Sequence, residues 1–348
     1  MNLKELSNAL GLSQTTVSRA LNGYPEVSAK TRARVVEMAR KLGYEPNQQA
    51  QKLATGRAMA IGHVIPRSVH DMMNPIFLEF IAGAGQTYSG HGYDMILSVV
   101  EDAREEEAFR EIARKKKADG VILQGPRVQE TRHDLLDELG LPYIVHGRIS
   151  GAEERTSWID VNNLRAFERA TKLLLDLGHR RIALINGRET MDFAARRRAG
   201  YEKALADFGL EVDPALISSA DMTEPYGAET AYRLLKSKTP PTAFLVASMI
   251  SAIGVSRAIS LAGLKMGQDV SVITHDDALS FLPNSGDMPI FTCTRSSIRQ
   301  AGMRAAEMIL QKVQTPDGPP ICERLEAELI IGQSTGPAPS VEGAQKSG

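Results

Sequence analysis

The spacing of apolar positions in the first 45 residues predicts short helices only. Leu3, Leu6 and Leu10 form one helical stripe, and Gly11 ends it. Ser13 can cap a second helix with an inner face of Val17, Ala20 and Leu21. The loop Asn22-Gly23-Tyr24-Pro25 leads to a third helix, capped by Ser28, which carries Val35, Val36, Ala39 and Leu42 and ends near Gly43. Pro46 stops the pattern. From about residue 58 the period changes. AIGHVIP, a helix from Pro75, YDMILSVV and a helix over Arg104–Lys117 are followed by DGVILQG, YIVHG, RRIALING, AFLVAS and VSVITHDD as further strands. Strands alternating with helices predict parallel sheets covered on both faces. There is too much of this pattern for one open sheet around a single core, which implies two lobes. GPAPSVEGAQKSG, polar and rich in small residues, predicts a disordered tail over 336–348.

The second helix has a polar outer face. Gln14, Thr15, Ser18, Arg19 and Asn22 fall on one stripe opposite the packed one. Such a stripe is either a solvated surface or a row of hydrogen-bonding groups for a partner. The stripe alone leaves both readings open. The whole chain has a formal charge of −1, but nine Lys/Arg against four Asp/Glu make residues 1–57 +5, so the rest carries −6. A basic head on an acidic body points to a nucleic-acid module. At the start of a recognition helix, Gln can pair with adenine, Thr can touch a thymine methyl and Arg can take guanine O6 and N7.

The segment LKELSNALGLSQTTVSRALNGYPEVSAKTRARVVEMARKLGYEPN resembles the headpiece of the lactose-repressor (LacI/GalR) family through TTVSRALN, VSAKTRARV and GYEPN. The resemblance implies that Gln14, Thr15 and Arg19 contact bases, and that Ser18, Asn22, Tyr44 and Asn47 touch the DNA backbone. By pattern alone NQQAQKLATGRA is a linker in which Asn47 can cap a short helix and Gly56 can end it. The resemblance implies a hinge helix that orders on operator DNA, with Ala50 and Leu53 in the minor groove and Leu53 as the wedge that kinks the duplex.

The body resembles the same family through IGHVIP, NPIF, ADGVILQG, LGHRRIALING, RRRAGYEKAL and VSVITHDD, in family order to about residue 335. The expected fold is a small all-α helix-turn-helix headpiece plus an α/β body of two Rossmann-like lobes, like a periplasmic binding protein. The expected domains are residues 1–46, a hinge at 47–57 and a body at 58–335. Lobe 1 would take about 58–160 and 289–320, and lobe 2 about 161–288 and 321–335. The resemblance carries Phe77, Gln124, Asn162, Arg197, Ser248 and Asp276 over as effector-binding positions. Arg197 lies three residues before Gly200 and could clamp vicinal hydroxyls. Asp276 lies at the carboxyl end of a strand, where open α/β sheets bind ligands, although an Asp there can also cap a helix. Phe77 could belong to the core. Trp158 could stack on a sugar or plug the lobe crossover. Arg188 and Arg196–Arg198 could hold a phosphate or form a solvated face. Ser248-Met249 replaces the family's usual Ser/Asn-Asp, Asn162 replaces a common Asp, and Met222 stands where some members have an aromatic.

Other classes fit poorly. No Gly-x-Gly-x-x-Gly follows a strand, and there is no phosphate loop, Gly-x-Ser-x-Gly elbow or His-x-x-x-His pair, so neither an enzyme nor a cofactor or metal is expected. Two cysteines, Cys293 and Cys322, make no disulfide framework. The first residues lack a secretion signal and no run spans a membrane, so a cytoplasmic location is expected. A periplasmic binding protein would need a signal and lack the basic head. The expected partners are palindromic operator DNA, a second copy of the chain and a small effector. A sugar fits the effector best, with a purine or other metabolite as the alternative, acting as inducer or corepressor. Without leucine heptads in the tail, a dimer is expected rather than a tetramer.

Overall fold

The computed structural model describes residues 2–21, 24–44, 56–66 and 75–339. The chain divides into two compact units between Met59 and Ala60.

The first unit holds α1 (Leu3–Leu10), α2 (Gln14–Leu21) and α3 (Ala29–Lys41). The second and third helices are capped by the expected Ser13 and Ser28, and the first by Asn2, which the sequence reading did not single out. Asn2 and Glu5 form a reciprocal capping box, Ser13 Oγ accepts from Thr16 N–H at 3.1 Å, and Ser28 Oγ accepts from Thr31 N–H at 3.2 Å. Gly11 ends α1 at φ +64°, a conformation open to glycine at little cost. Leu6, Leu10, Val17, Ala20, Val27, Val35 and Ala39 close the core. Val36 and Leu42 were expected on the packed face, but they are exposed. Arg34 Nη2 reaches the Leu10 carbonyl at 2.8 Å and Arg32 Nη2 the Tyr24 carbonyl at 2.9 Å, so α3 holds the turns on both sides of α2.

The second unit contains two six-stranded sheets. The first runs β11-β5-β4-β3-β1-β2 and is parallel throughout: β1 (Ala60–Pro66), β2 (Asp94–Val100), β3 (Gly120–Gln124), β4 (Tyr143–His146), β5 (Trp158–Val161) and β11 (Cys322–Leu325). The helices α4 (Pro75–Gly90), α5 (Glu105–Lys115), α6 (Arg132–Glu138) and α11 (Ile298–Gln314) accompany it. The second sheet runs β12-β10-β9-β8-β6-β7: β6 (Ile182–Asn186), β7 (Ile217–Ser219), β8 (Ala243–Val246), β9 (Ser271–Asp276), β10 (Thr292–Arg295) and β12 (Glu328–Ile330), the last antiparallel. Its helices are α7 (Asn163–Asp176), α8 (Asp192–Asp207), α9 (Glu224–Leu235) and α10 (Met249–Leu261). Apolar clusters fill both faces of this sheet, one around Phe167 and Tyr201, the other around Phe244 and Val255.

The chain passes between the sheets after Val161, after Arg295 and after Leu325. The last two crossings correct the expected lobe boundaries. β10, placed in lobe 1 from the sequence, pairs with β9 in the second sheet. β11, placed in lobe 2, pairs with β5 in the first, Cys322 opposite Trp158 and Leu325 opposite Val161. The expected disordered tail also begins too early. Ser271 Oγ bonds both the N–H and the carbonyl of Gly336 at 3.1 Å, and Ala338 N–H donates to the Leu177 carbonyl at 2.8 Å, so the backbone is anchored at both positions.

Helices α4 and α11 meet at two glycines. A Cβ on Gly302 would fall on the Phe80 carbonyl, and one on Gly83 on the Arg299 carbonyl. Gly302→Ala must therefore force the helices apart, at a cost of about 1–3 kcal/mol. Scanning calorimetry should show a lowered Tm; an unchanged Tm would mean that the pair separates freely.

Candidate functional site

Two surfaces carry chemistry. On the first unit, Gln14, Thr15 and Arg19 are exposed along α2, with Ser18 half-buried beside them. The opposite face is the packed one, where Val17 and Ala20 are fully buried. Tyr44 is half-buried, and burial raises its phenol pKa. Asn22, Asn47, Ala50 and Leu53 lie outside the described residues.

The second surface is a cavity of about 1010 Å³, counting its open mouth, between the two sheets. Gln124, His146 and Asp160 enter it from the carboxyl ends of β3, β4 and β5, and His275 and Asp277 from that of β9. α4 contributes Ile76, Phe77 and Phe80, while α8 contributes Phe193 and Arg197. Met191, Met222, Val161 and Ile298 complete a wall that is largely apolar, with a few converging polar groups.

Arg197 is the chief of these groups. Its guanidinium lies 5.1 Å from the Phe167 ring and 5.0 Å from the Phe193 ring, contacts that favour a cation. Nε donates to Asn163 Oδ1 at 2.8 Å and Nη1 to the Ala247 carbonyl at 2.7 Å. These bonds leave Nη2 as a donor without a partner among the described residues. Burial pulls its pKa down to about 10, partly offset by Asp277 and Asp160, so it remains charged at neutral pH. Burial also works to raise the Asp277 carboxyl. The adjoining His275 and then Arg197 outweigh it, and the group sits below the usual carboxylate range. Asp160 is held by Arg148 Nε at 2.7 Å and by Asn163 Nδ2 at 3.2 Å, yet burial prevails and raises its pKa. His146 is driven down to about 4 by burial and stacks on Phe80 at 4.4 Å. Its Nδ1 donates to Gln124 Oε1 at 2.8 Å, while Gln124 Nε2 is buried with no partner among the described residues.

The lobes also touch beside the cavity. Val128 N–H donates to the Thr190 carbonyl at 2.9 Å and Asp192 N–H to the Pro126 carbonyl at 3.0 Å. Ser150 Oγ donates to Asp192 Oδ1 at 2.6 Å, and Arg196 bridges Asp192 to Glu153.

Comparison with known proteins settles the family. Residues 2–47 match the bacterial regulatory proteins of the lacI family, and residues 171–335 match the periplasmic binding protein-like domain. The transcriptional regulator AglR of Rhizobium meliloti (strain 1021) is 45% identical over 340 residues, 97% of this chain and 95% of its own length. The chain belongs to the lacI family. Among solved structures, the lac repressor dimer bound to operator and the anti-inducer ONPF superposes with a TM-score of 0.76 at 25% identity, covering 97% of this chain and 99% of that one. The CelR–cellobiose complex gives 0.71 at 27% identity, over 96% and 99%. These relatives are transcriptional regulators, not enzymes, and this family member carries the same helix-turn-helix and two-lobed body.

Of the six positions carried over to the effector site, Phe77, Gln124 and Arg197 line the cavity, and three do not. Asp276 points away from it: its carboxylate accepts from Arg295 Nε at 2.8 Å and Ala278 N–H at 2.8 Å, shaping the turn after β9. Side chains alternate along a strand, so His275 and Asp277 share the cavity face and Asp276 takes the other. Asn162 caps α7 and donates to Glu326 at 2.8 Å; its neighbours Val161 and Asn163 face the cavity instead. Ser248 caps α10, accepting from Ser251 N–H at 3.2 Å. Trp158 is a plug, with Nε1 bonded to the Glu153 carbonyl and its ring in the first-lobe core. Arg188, Arg196 and Arg198 are paired with Asp221, Asp192 and Glu202 respectively. Sequence reasoning missed His146, Asp160, Asn163, His275 and Asp277; alternation along β9 sets His275 and Asp277 on the face opposite Asp276, but the sequence alone does not say which face meets the cavity.

The buried histidines make stability depend on pH. His63 is pushed down to about 3 and His146 to about 4, both by burial. The unfolded chain takes up protons near pH 6.5 that the folded protein refuses, so stability is full above that pH and drains as pH falls toward 4. Each histidine should contribute a slope of up to about 1.4 kcal/mol per pH unit within that window. Denaturant melts between pH 7.5 and 4.5 test this, and a flat profile would refute it.

Proposed function

We propose that this regulator is a cytoplasmic homodimeric repressor whose operator affinity is set by a neutral carbohydrate in the interlobe cavity. The observation that carries the effector class is the polar cluster of Arg197, Asp277, Asn163 and Gln124 inside an apolar, aromatic-rich wall. A sugar presents hydroxyls around its edge and C–H faces above and below, and this wall matches both. Charge argues for a neutral ligand. Arg197 and Asp277 offset one another, Asp160 is offset by Arg148, and Arg188, Arg196 and Arg198 are paired with acids. The likeness to the CelR–cellobiose complex supports the same class. Among the described residues no helix is long and apolar enough to cross a membrane, and an operator reader works where the DNA is.

In this reading α2 enters the major groove with Gln14, Thr15 and Arg19 at base edges, and Ser18, Asn22, Tyr44 and Asn47 at phosphates. Ala50 and Leu53 of the hinge enter the minor groove at the dyad. A two-fold operator needs two heads and therefore a dimer. Sugar and operator must then affect one another by the same factor.

A thermal-shift screen of mono-, di- and phosphorylated sugars and nucleosides tests the effector. A neutral sugar should raise Tm, and the rise should vanish in Arg197→Ala and Asp277→Ala. Asp276→Ala should lower the starting Tm yet keep the rise, because that carboxylate braces a turn and does not touch the ligand. A rise given only by a nucleoside would replace the sugar with a nucleobase stacked on the phenylalanines.

The head is tested by operator selection. Gln14→Ala and Arg19→Ala should each relax preference at one base pair by about 1–3 kcal/mol. Uniform weakening across all sequences would place these residues on phosphates.

A further inference from the structure

The arginine run of the second lobe is neutralised where it stands: Arg196 and Arg198 are paired with Asp192 and Glu202, and Arg197 is buried. The end of α5, on the first lobe, is different. Arg110, Arg114, Lys115, Lys116 and Lys117 fall within eight residues and are all exposed, with Glu111 as the one acid among them. Lys115 Nζ and Lys117 Nζ both close on Glu111 Oε1, at 2.5 and 3.0 Å. Arg110, Arg114 and Lys116 have no ion pair among the described residues. Packing is served by Phe109 and Ile112 on the opposite side of the helix. Two features of this turn cost stability. Arg110 and Arg114, four residues apart, set like charges on one helix face. Lys116 ends α5 at φ +47°, a left-handed conformation in which glycine is at ease and a side chain is strained. The helix dipole favours cations at this end, but glycine at position 116 would serve the turn better.

The place of the turn in the sheet points to its partner. The chain leaves the DNA-reading unit and enters the body at β1. Directly after the basic turn, Asp119 N–H donates to the Ala60 carbonyl at 2.8 Å, and β3 then runs parallel to β1 with Gly120 opposite Ile61. Gly62 packs closely on this turn, since a Cβ there would lie 3.3 Å from Ile112 and 3.5 Å from Ala118. The cations thus stand at the amino edge of the first sheet, beside the residue through which the head is attached. The cavity lies at the other edge. Residues 58–348 together carry −6, so a surplus of cations here is not typical of the body.

We propose that the α5 turn is a second DNA contact, carried by the body, in which Arg114, Lys116 and Lys117 meet phosphates of the duplex that the head reads. Contacts of this kind add affinity and carry no sequence information, so the choice of operator stays with α2.

A salt titration tests this. The full-length protein selects a duplex from a random-sequence pool, and its affinity for that duplex is followed by fluorescence anisotropy across salt concentrations. Lys116→Gln combined with Lys117→Gln should weaken binding on the order of tenfold near 0.1 M salt and flatten the slope of log K against log salt by about 1–2. Base preference across the pool should match that of the wild type. Lys236→Gln combined with Lys238→Gln removes the same charge from an exposed part of the second lobe and should leave the slope as it was. Lys116→Gly separates binding from folding: it should raise Tm by relieving the left-handed backbone, yet weaken binding. An unchanged slope in the Lys116–Lys117 variant overturns the proposal. An equal flattening in the second-lobe variant does so too, because the effect would then belong to the field of the whole protein. A changed base preference would also sink it, since the turn would then act through the head.

Discussion

Three chain crossings, after Val161, Arg295 and Leu325, constrain everything else in the body. Because the polypeptide leaves one sheet and enters the other at three neighbouring places, the carboxyl edges of both sheets must face each other. The residues that end β3, β4, β5 and β9 therefore converge without any loop having to be long. The same crossings allow the lobes to move relative to one another only by bending at a few backbone positions. Asn162 and Glu326 sit at two of these positions and bond to each other at 2.8 Å. The family position often occupied by an acid is thus a brace at the hinge in this chain, and an amide serves a brace better, since it can accept from the α7 backbone and donate to Glu326 at once.

Within the cavity the governing quantity is charge balance in a space with little water. A guanidinium buried between two phenyl rings is tolerable because Asp277 and Asp160 lie in its field and two protein acceptors take its inner N–H groups. Burial lowers the pKa of both cavity histidines, His146 and His275. His146 is fixed as a neutral ring by burial, with its proton toward Gln124. The cavity thus sets the Arg197 and Gln124 donors beside the Asp277 and Asp160 acceptors, with opposite charges facing one another. It can discriminate among neutral polyols by geometry, because each misplaced hydroxyl leaves a buried partner unsatisfied.

Much of this architecture was legible in the sequence, and the failures share a cause. Long apolar runs such as IALIN, SVITHD and AIGHVIP announced strands, and capped helices such as α2 and α3 announced their own starts. The strands missed were β5, β7, β10, β11 and β12, three or four residues each and, unlike the equally short β4 (YIVH) and β8 (AFLV), without a run of three apolar residues to announce them. Missing β10 and β11 as pairing partners displaced two of the three crossings. At the site, resemblance supplied the neighbourhood and physics the residue. Asp276 and Asp277 are chemically identical in the sequence, and only the strand's alternation, anchored by His275, says which one faces the cavity. Position 162 slipped likewise, because a residue that caps a helix cannot also present its side chain to the cavity. Arg197 stood clear because its close-packing Gly200 fixed its helical phase: a Cβ there would strike the Leu164 carbonyl.

The lobe contacts beside the cavity supply the energetic link between occupancy and shape. The Val128–Thr190 and Asp192–Pro126 backbone bonds, with Ser150 and Glu153 reaching Asp192 and Arg196, form a clasp on one side of the cleft. The loop that carries this clasp also carries Met191, which lines the cavity, and it leads directly into α8, which carries Arg197. A ligand that engages Arg197 while resting on the first lobe therefore acts in parallel with the clasp, and its differential affinity for the clasped arrangement adds to the bonds already made. Each backbone bond is worth only about 0.5–1.5 kcal/mol net. The clasp alone thus biases the lobes without locking them, and a ligand with a differential of a few kcal/mol is enough to control the balance. A weak clasp beside a strong, preorganised polar cluster is the arrangement a switch requires.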